Sequence, residues 1–175
     1  MSFVFSEQGF IVPPQSKASI DRITQFIRQA NPQFINEVGA IDIMALLEHG
    51  YQNFSVVPDS ELKGVLGLTL PSGEIRLRES VYEGAYDGNG RDRFTVAHEI
   101  GHGIMHINYI GLARPADSTT KPYCKSEWQA NEFAGRLLLP DSYLEKHKHK
   151  PFYEIAEMYG VSLECVQIRF NKYNK

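Results

Sequence analysis

Apolar residues recur along this chain at two different periods, and the change of period maps its elements. Over residues 19–29 the spacing is helical, with Ser16 or Ser19 as candidate cap and Pro32 shortly beyond. Residues 42–49 predict a second helix, which Gly50 would end. The period then shortens: residues 53–57, 64–69 and 74–78 predict strands, the last two joined by a hairpin turn at Pro71-Ser72-Gly73. Helical spacing returns with Phe94, Ala97, Ile100, Gly101, Ile104 and Met105 on one arc. It returns again with the stripe Ala130, Phe133, Ala134, Leu137 and Leu138, which Pro140 closes. Asp87-Gly88-Asn89-Gly90 reads as a flexible lead into the first of these helices, and residues 110–125 as a loop between the two, long enough for an active-site rim. Ser126 and Gln129 have the spacing of a capping box at the start of the second.

These elements predict an α+β fold, with a small, mostly antiparallel three-stranded sheet packed on two long helices and further helices at both ends. A chain of 175 residues with 42% apolar composition can bury the core of one domain. Within it, residues 1–50 read as an N-terminal helical part, 51–140 as the core that carries the chemistry, and 141–175 as a C-terminal helical hairpin. Ile155-Ala156, Gly160-Val161 and Val166 have helix-turn-helix offsets with Ser162 as cap, which raises a DNA-binding regulator as an alternative function. The groove-facing positions argue against it, because Leu163, Glu164 and Gln167 come early, Arg169 and Lys172 late, and Glu164 would oppose phosphate.

Charge points the same way. Eighteen Lys plus Arg against 21 Asp plus Glu give a net charge of -3, which offers no dedicated surface to nucleic acid or anionic membrane. The run Lys146-His147-Lys148-His149-Lys150 reads as a solvated loop. Residues 1–7 lack the basic start and apolar stretch of a leader, and no 18-residue apolar run occurs, so a cytoplasmic location without membrane contact is expected. Cys124 and Cys165 are too few for a disulfide framework and are expected as thiols.

The chemistry concentrates in His98-Glu99-Ile100-Gly101-His102. Residues four apart on a helix sit one above the other, so His98 and His102 can share one metal ion while Glu99 stands beside it. The histidines border the apolar arc, dry enough to hold metal and open enough to admit water, which points to a zinc-dependent hydrolase. Gly101 and Gly103 suggest close approach of a neighbouring segment. A catalytic zinc usually takes three protein ligands, so a third must come from elsewhere. On the second helix Glu127 falls within the apolar arc and Glu132 on the opposite side. A buried carboxylate needs compensation, which a metal would give Glu127, as would an ion pair near the helix start. Asn131, one turn on, would orient a ligand histidine. Cys124 offers a thiolate to the metal as a further reading, against a packed free Cys.

Taken together, Arg93-Phe94-Thr95-x-Ala97-His98-Glu99-x-Gly101-His102 with His106 following, and Glu127-x-x-Ala130-Asn131-x-Phe133-Ala134-x-x-Leu137-Leu138-x-Pro140, resemble the ImmA/IrrE family of metallo-endopeptidases. The resemblance implies a gluzincin-like site: His98, His102 and Glu127 as ligands of one zinc ion, with manganese or cobalt as substitutes, and Glu99 as general base. It also implies a zincin-like sheet whose edge strand binds an extended peptide, and a protein substrate, a partner repressor carrying a helix-turn-helix domain, often encoded near mobile elements or stress regulons. Arg136 and Leu139 depart from the family pattern, which often has an acidic residue and Met there. His106, Tyr109 and Tyr123 are the candidates nearby for stabilising a developing oxyanion. An interaction protein with a structural zinc is the remaining alternative, and the intact Glu99 weighs against it.

Overall fold

A computed structural model describes residues 9–173. Helix α1 (Lys17–Ala30) starts where the Ser16 hydroxyl accepts a hydrogen bond from the Ser19 N–H, at 3.0 Å, so Ser16 is the cap. Asp42 caps α2 (Ile43–Ala45), which continues as a wider π turn over Leu46–Tyr51. The segment ends at Gln52, in the left-handed region at φ 65, with its N–H on the Leu47 carbonyl. The expected stop at Gly50 is thereby corrected: the wider turn moves the terminal hydrogen bond two residues on. Strands β1 (Phe54–Val57), β2 (Gly67–Thr69) and β3 (Ile75–Arg78) follow. The remaining helices are α3 (Glu79–Tyr86), α4 (Gly90–Met105), α5 (Ser126–Leu138), α6 (Asp141–His147), α7 (Phe152–Tyr159) and α8 (Leu163–Tyr173).

The α+β class stands as expected, and the sheet is mixed, in the order β1-β3-β2. β2 and β3 form the expected antiparallel hairpin, closed through Gly73 at φ 81 and the Leu70 N–H to Glu74 carbonyl bond. β1 pairs in parallel with the other side of β3. Residues 58–66 are long enough to carry the chain across, so β1 needs no tight hairpin to its neighbour in sequence. This leaves β2 as an edge strand and β3 in the centre, with Ile75 and Leu77 fully buried. Residues 1–7, read above for a leader, lie outside the described residues. Among the described residues no helix is long and apolar enough to cross a membrane.

One core runs from Ile20 to Phe170, with α4 and α5 at its centre. Gly101 is what lets them approach: a Cβ there would lie 2.8 Å from the Phe133 ring. A Cβ at Gly103 would collide with the Tyr51 hydroxyl, which is donated to the Gly73 carbonyl at 2.6 Å. The close-approach reading of both glycines therefore holds. Gly101→Ala is expected to lose about 1–3 kcal/mol of stability, since Phe133 is fully enclosed and cannot yield. Urea denaturation measures this, and a loss below the gain in helix propensity, about 1 kcal/mol, would show that the ring moves aside.

At the C-terminal end, Gly160 turns the chain in the left-handed region and the Ser162 hydroxyl caps α8 through the Cys165 N–H. The basic residues of α8 are held in ion pairs. Arg169 is buried, donating to the Leu139 carbonyl and pairing with Asp141, while Lys172 pairs with Glu132. The Lys146–Lys150 run is exposed, as expected, at every position but His147. It covers the end of α6 and the following turn, and His147 is buried against the Tyr159 ring.

Candidate metal centre

The Asn89 side chain accepts from the N–H groups of Arg91 and Asp92 and so fixes the start of α4. Two turns later α4 presents His98, Glu99 and His102 to one cleft, into which α5 brings Glu127 and Asn131. His98 Nε2 lies 3.0 Å from His102 Nε2 and 3.1 Å from Glu127 Oε2. His102 Nε2 lies 3.1 Å from Glu127 Oε1. Among the described residues this trio is placed to hold a metal ion, with its donor atoms all within 4.8 Å of one another. Cys124 is not among them.

Hydrogen bonds behind the trio determine where the ring protons sit. The Gln129 side-chain amide donates to the carbonyls of Pro13, at 2.9 Å, and Tyr123, at 2.8 Å. Its oxygen is therefore the acceptor 2.9 Å from His106 Nε2, so that nitrogen carries the proton. Burial, and then the neighbouring His102, push the His106 pKa down to about 4, which keeps the ring neutral. A neutral His106 accepts at Nδ1 from His102 Nδ1, 2.9 Å away. The His98 Nδ1–H donates to Asn131 Oδ1, also at 2.9 Å. Both rings thus turn unprotonated Nε2 atoms toward each other and toward a carboxylate.

Three electron-pair donors so close repel unless a cation or proton lies between them. Two imidazoles and one carboxylate suit a divalent metal. Without one, the centre favours a proton. Burial lowers the His98 pKa, but Glu127, Glu99 and Asn131 outweigh it and raise the value above the ordinary one. Burial likewise opposes the charged form of Glu127, yet the adjacent His102 and His98 rings hold its carboxyl well below the usual range.

The capping box expected from Ser126 and Gln129 does not form. Lys125 is the α5 cap position and makes no side-chain cap bond. The Ser126 hydroxyl instead accepts from the Phe10 N–H, and Gln129 reaches His106. Both residues are buried under the segment that contains Phe10 and Pro13, so its backbone satisfies them in place of the helix's own first turn.

Glu99 is buried against β2. The Thr69 hydroxyl lies 2.7 Å from Glu99 Oε2 and 3.0 Å from the Glu99 main-chain carbonyl, and donates to them. A Cβ on Gly67 would come within 2.8 Å of Glu99 Cγ, so glycine gives the carboxylate its room. The cleft has a volume of about 410 Å³ and is walled on one side by the β2 edge. Of the other residues singled out in the sequence, His106 sits buried behind His102, while Tyr109 and Tyr123 do not line the cleft. The Tyr123 ring lies under Lys121 instead, beside Trp128. Thr69, Gln129 and Phe10 are parts of the site that sequence reasoning did not assign.

No curated protein matches the chain. The family model described as the IrrE N-terminal-like domain, Peptidase_M78, matches residues 57–171. That is more than half of the chain, and it takes in the β2 edge and both helices that bear the cluster. The expected ImmA/IrrE membership is borne out, and the chain belongs to this family of metallopeptidases.

Proposed function

We propose that this chain is a zinc-dependent endopeptidase of the cytoplasm that hydrolyses a peptide bond in a partner regulatory protein, a helix-turn-helix repressor. The observation that carries the reading is the convergence of His98 Nε2, His102 Nε2 and the Glu127 carboxylate beside the buried Glu99. His98, His102 and Glu127 hold the ion, and manganese or cobalt would suit the same donors. When bound, a divalent cation supplies Lewis acidity at the scissile carbonyl and makes water at the site more acidic. Glu99 accepts the proton from that water and returns it to the leaving amine nitrogen. Asn131 and the His106–Gln129 pair keep the two rings oriented, as outer partners of metal sites do. The substrate lies extended along the β2 edge, whose free backbone groups suit strand addition.

Thr69 positions the base. With one Glu99 oxygen held by its hydroxyl, the other is free to face the cleft. Thr69→Val is expected to lower kcat roughly tenfold, the equivalent of about 1.4 kcal/mol, with little change in KM. Thr69→Ser should recover most of the rate. If valine and serine variants behave alike, the hydroxyl is not what matters.

The direct test incubates the zinc-loaded protein with purified helix-turn-helix repressors encoded beside it and maps any cut by mass spectrometry. One defined cleavage, lost on chelation and restored by zinc, is the expected result. Cleavage of unrelated unfolded chains but of no such repressor would refute the substrate class. The DNA-binding alternative has little behind it, because Arg169 and Lys172, the basic groups it needs, are held by Asp141 and Glu132. A purely structural zinc would give Glu99 no reason to be fixed by Thr69 in an open cleft.

A further inference from the structure

Resting on the peptidase reading above, we infer that the cleft takes a large apolar side chain next to the scissile bond, and that Phe10 is the residue that selects it. Phe10 lines the cleft although it precedes the residues matched by the family model. Its ring centroid stands 6.3 Å from that of His102 and 6.0 Å from that of His106, the latter edge to face. An apolar group therefore lies directly against a metal-donor ring.

The position of Phe10 is registered to the metal donors through the backbone. The Phe10 N–H donates to the Ser126 hydroxyl and the Ser126 N–H donates to the Phe10 carbonyl, both at 3.0 Å. Ser126 adjoins Glu127, so the wall and the carboxylate are fixed by one point of attachment. The next residue, Ile11, donates to the Arg114 carbonyl at 2.8 Å, which ties the same segment to the rim loop. Phe10 is only half-buried and faces the cleft, which leaves its ring surface for a ligand.

The rest of the wall agrees in chemistry. Leu66, Leu68, Phe94 and Ile110 continue it, and among the described residues no Lys or Arg lines the cleft. Its fixed charges are Glu99 and Glu127, both at the metal end. A polar side chain packed against these apolar walls would lose hydration there, whereas an apolar one releases water from both surfaces.

The test compares two peptidyl hydroxamates identical except for a leucine or an asparagine side chain, which are close in size and both uncharged. Their affinities for the zinc-loaded protein are measured by calorimetry on wild type, Phe10→Ala, Phe10→Gln and Phe10→Leu. The ratio between the two compounds within one variant cancels any effect common to both. Wild type is expected to prefer the leucine compound by about tenfold or more. Phe10→Ala and Phe10→Gln should each cut that ratio by at least about threefold, and Phe10→Leu should keep most of it, so the test does not hang on one variant folding. A wild-type ratio near one, or a ratio in both Phe10→Ala and Phe10→Gln equal to wild type, would overturn the inference alone. If plain acetohydroxamate did not bind the zinc-loaded wild type, the metal-site reading itself would fail and the subsite with it.

Discussion

Glu99→Gln is expected to lower kcat by about 10²- to 10⁴-fold while the protein keeps its metal. The substitution keeps the shape of the side chain. The Thr69 hydroxyl, which donates to Glu99 Oε2, can donate equally to the amide oxygen, so the room beside Gly67 stays filled. What the amide then turns to the cleft is an NH2 group, which cannot take a proton from water. His98, His102 and Glu127 are not altered, and neither are Asn131 and His106 behind the two rings. The check pairs metal content by mass spectrometry with single-turnover cleavage of the repressor. Equal zinc with cleavage within a few-fold of wild type would remove Glu99 from the chemistry and return the structural-zinc alternative to the front. Glu99→Ala is a poorer probe, because it would leave the buried Thr69 hydroxyl with only the main-chain carbonyl of residue 99 and open a hole against Gly67.

What could be read from the sequence is what depends on short range. The α4 arc is legible because residues three and four apart become neighbours in any helix, and the same rule sets His98 over His102. Glu127 is legible for a related reason: a carboxylate on an apolar stripe needs a cation, and α5 turns it to the histidines. Helix α3 has no such signature. It leaves β3 without a side-chain cap at Arg78, and its buried face is little more than Val81 and Ala85. Strand pairing is also hidden, since which edge β1 joins is decided by the path of residues 58–66 and not by its own alternation. Gln129 was misassigned for the clearest reason. Its local spacing fits a cap, but besides the Tyr123 carbonyl its partners are Pro13, 116 positions away, and His106, 23 positions away. The pairing of Arg169 is hidden for the same reason, because its partners Asp141 and the Leu139 carbonyl lie 28 and 30 positions earlier in the chain.

His98→Ala and Glu127→Ala are each expected to weaken zinc binding by well over 100-fold, beyond the 10- to 100-fold loss typical of an outer partner such as Asn131. The two carboxylates of α5 make the sharper contrast, because only one faces the histidines. Glu127 bridges both rings, with an oxygen 3.1 Å from each Nε2. Glu132 points to α8, where it meets Lys172, and its other oxygen is 3.5 Å from Arg136 Nε. Glu132→Ala should therefore keep the metal and lose roughly 3 kcal/mol of stability, because two basic groups lose a buried counter-charge. Zinc titrations followed by thermal unfolding separate the cases. A ligand present at about 100 times its Kd stabilises the folded state by about 2.7 kcal/mol, so wild type and Glu132→Ala rise in Tm with added zinc while His98→Ala and Glu127→Ala do not. If Glu127→Ala responded to zinc as wild type does, the third ligand would be something else. Glu99, the other carboxylate in the cleft, would then have to be tested as a ligand rather than as the base.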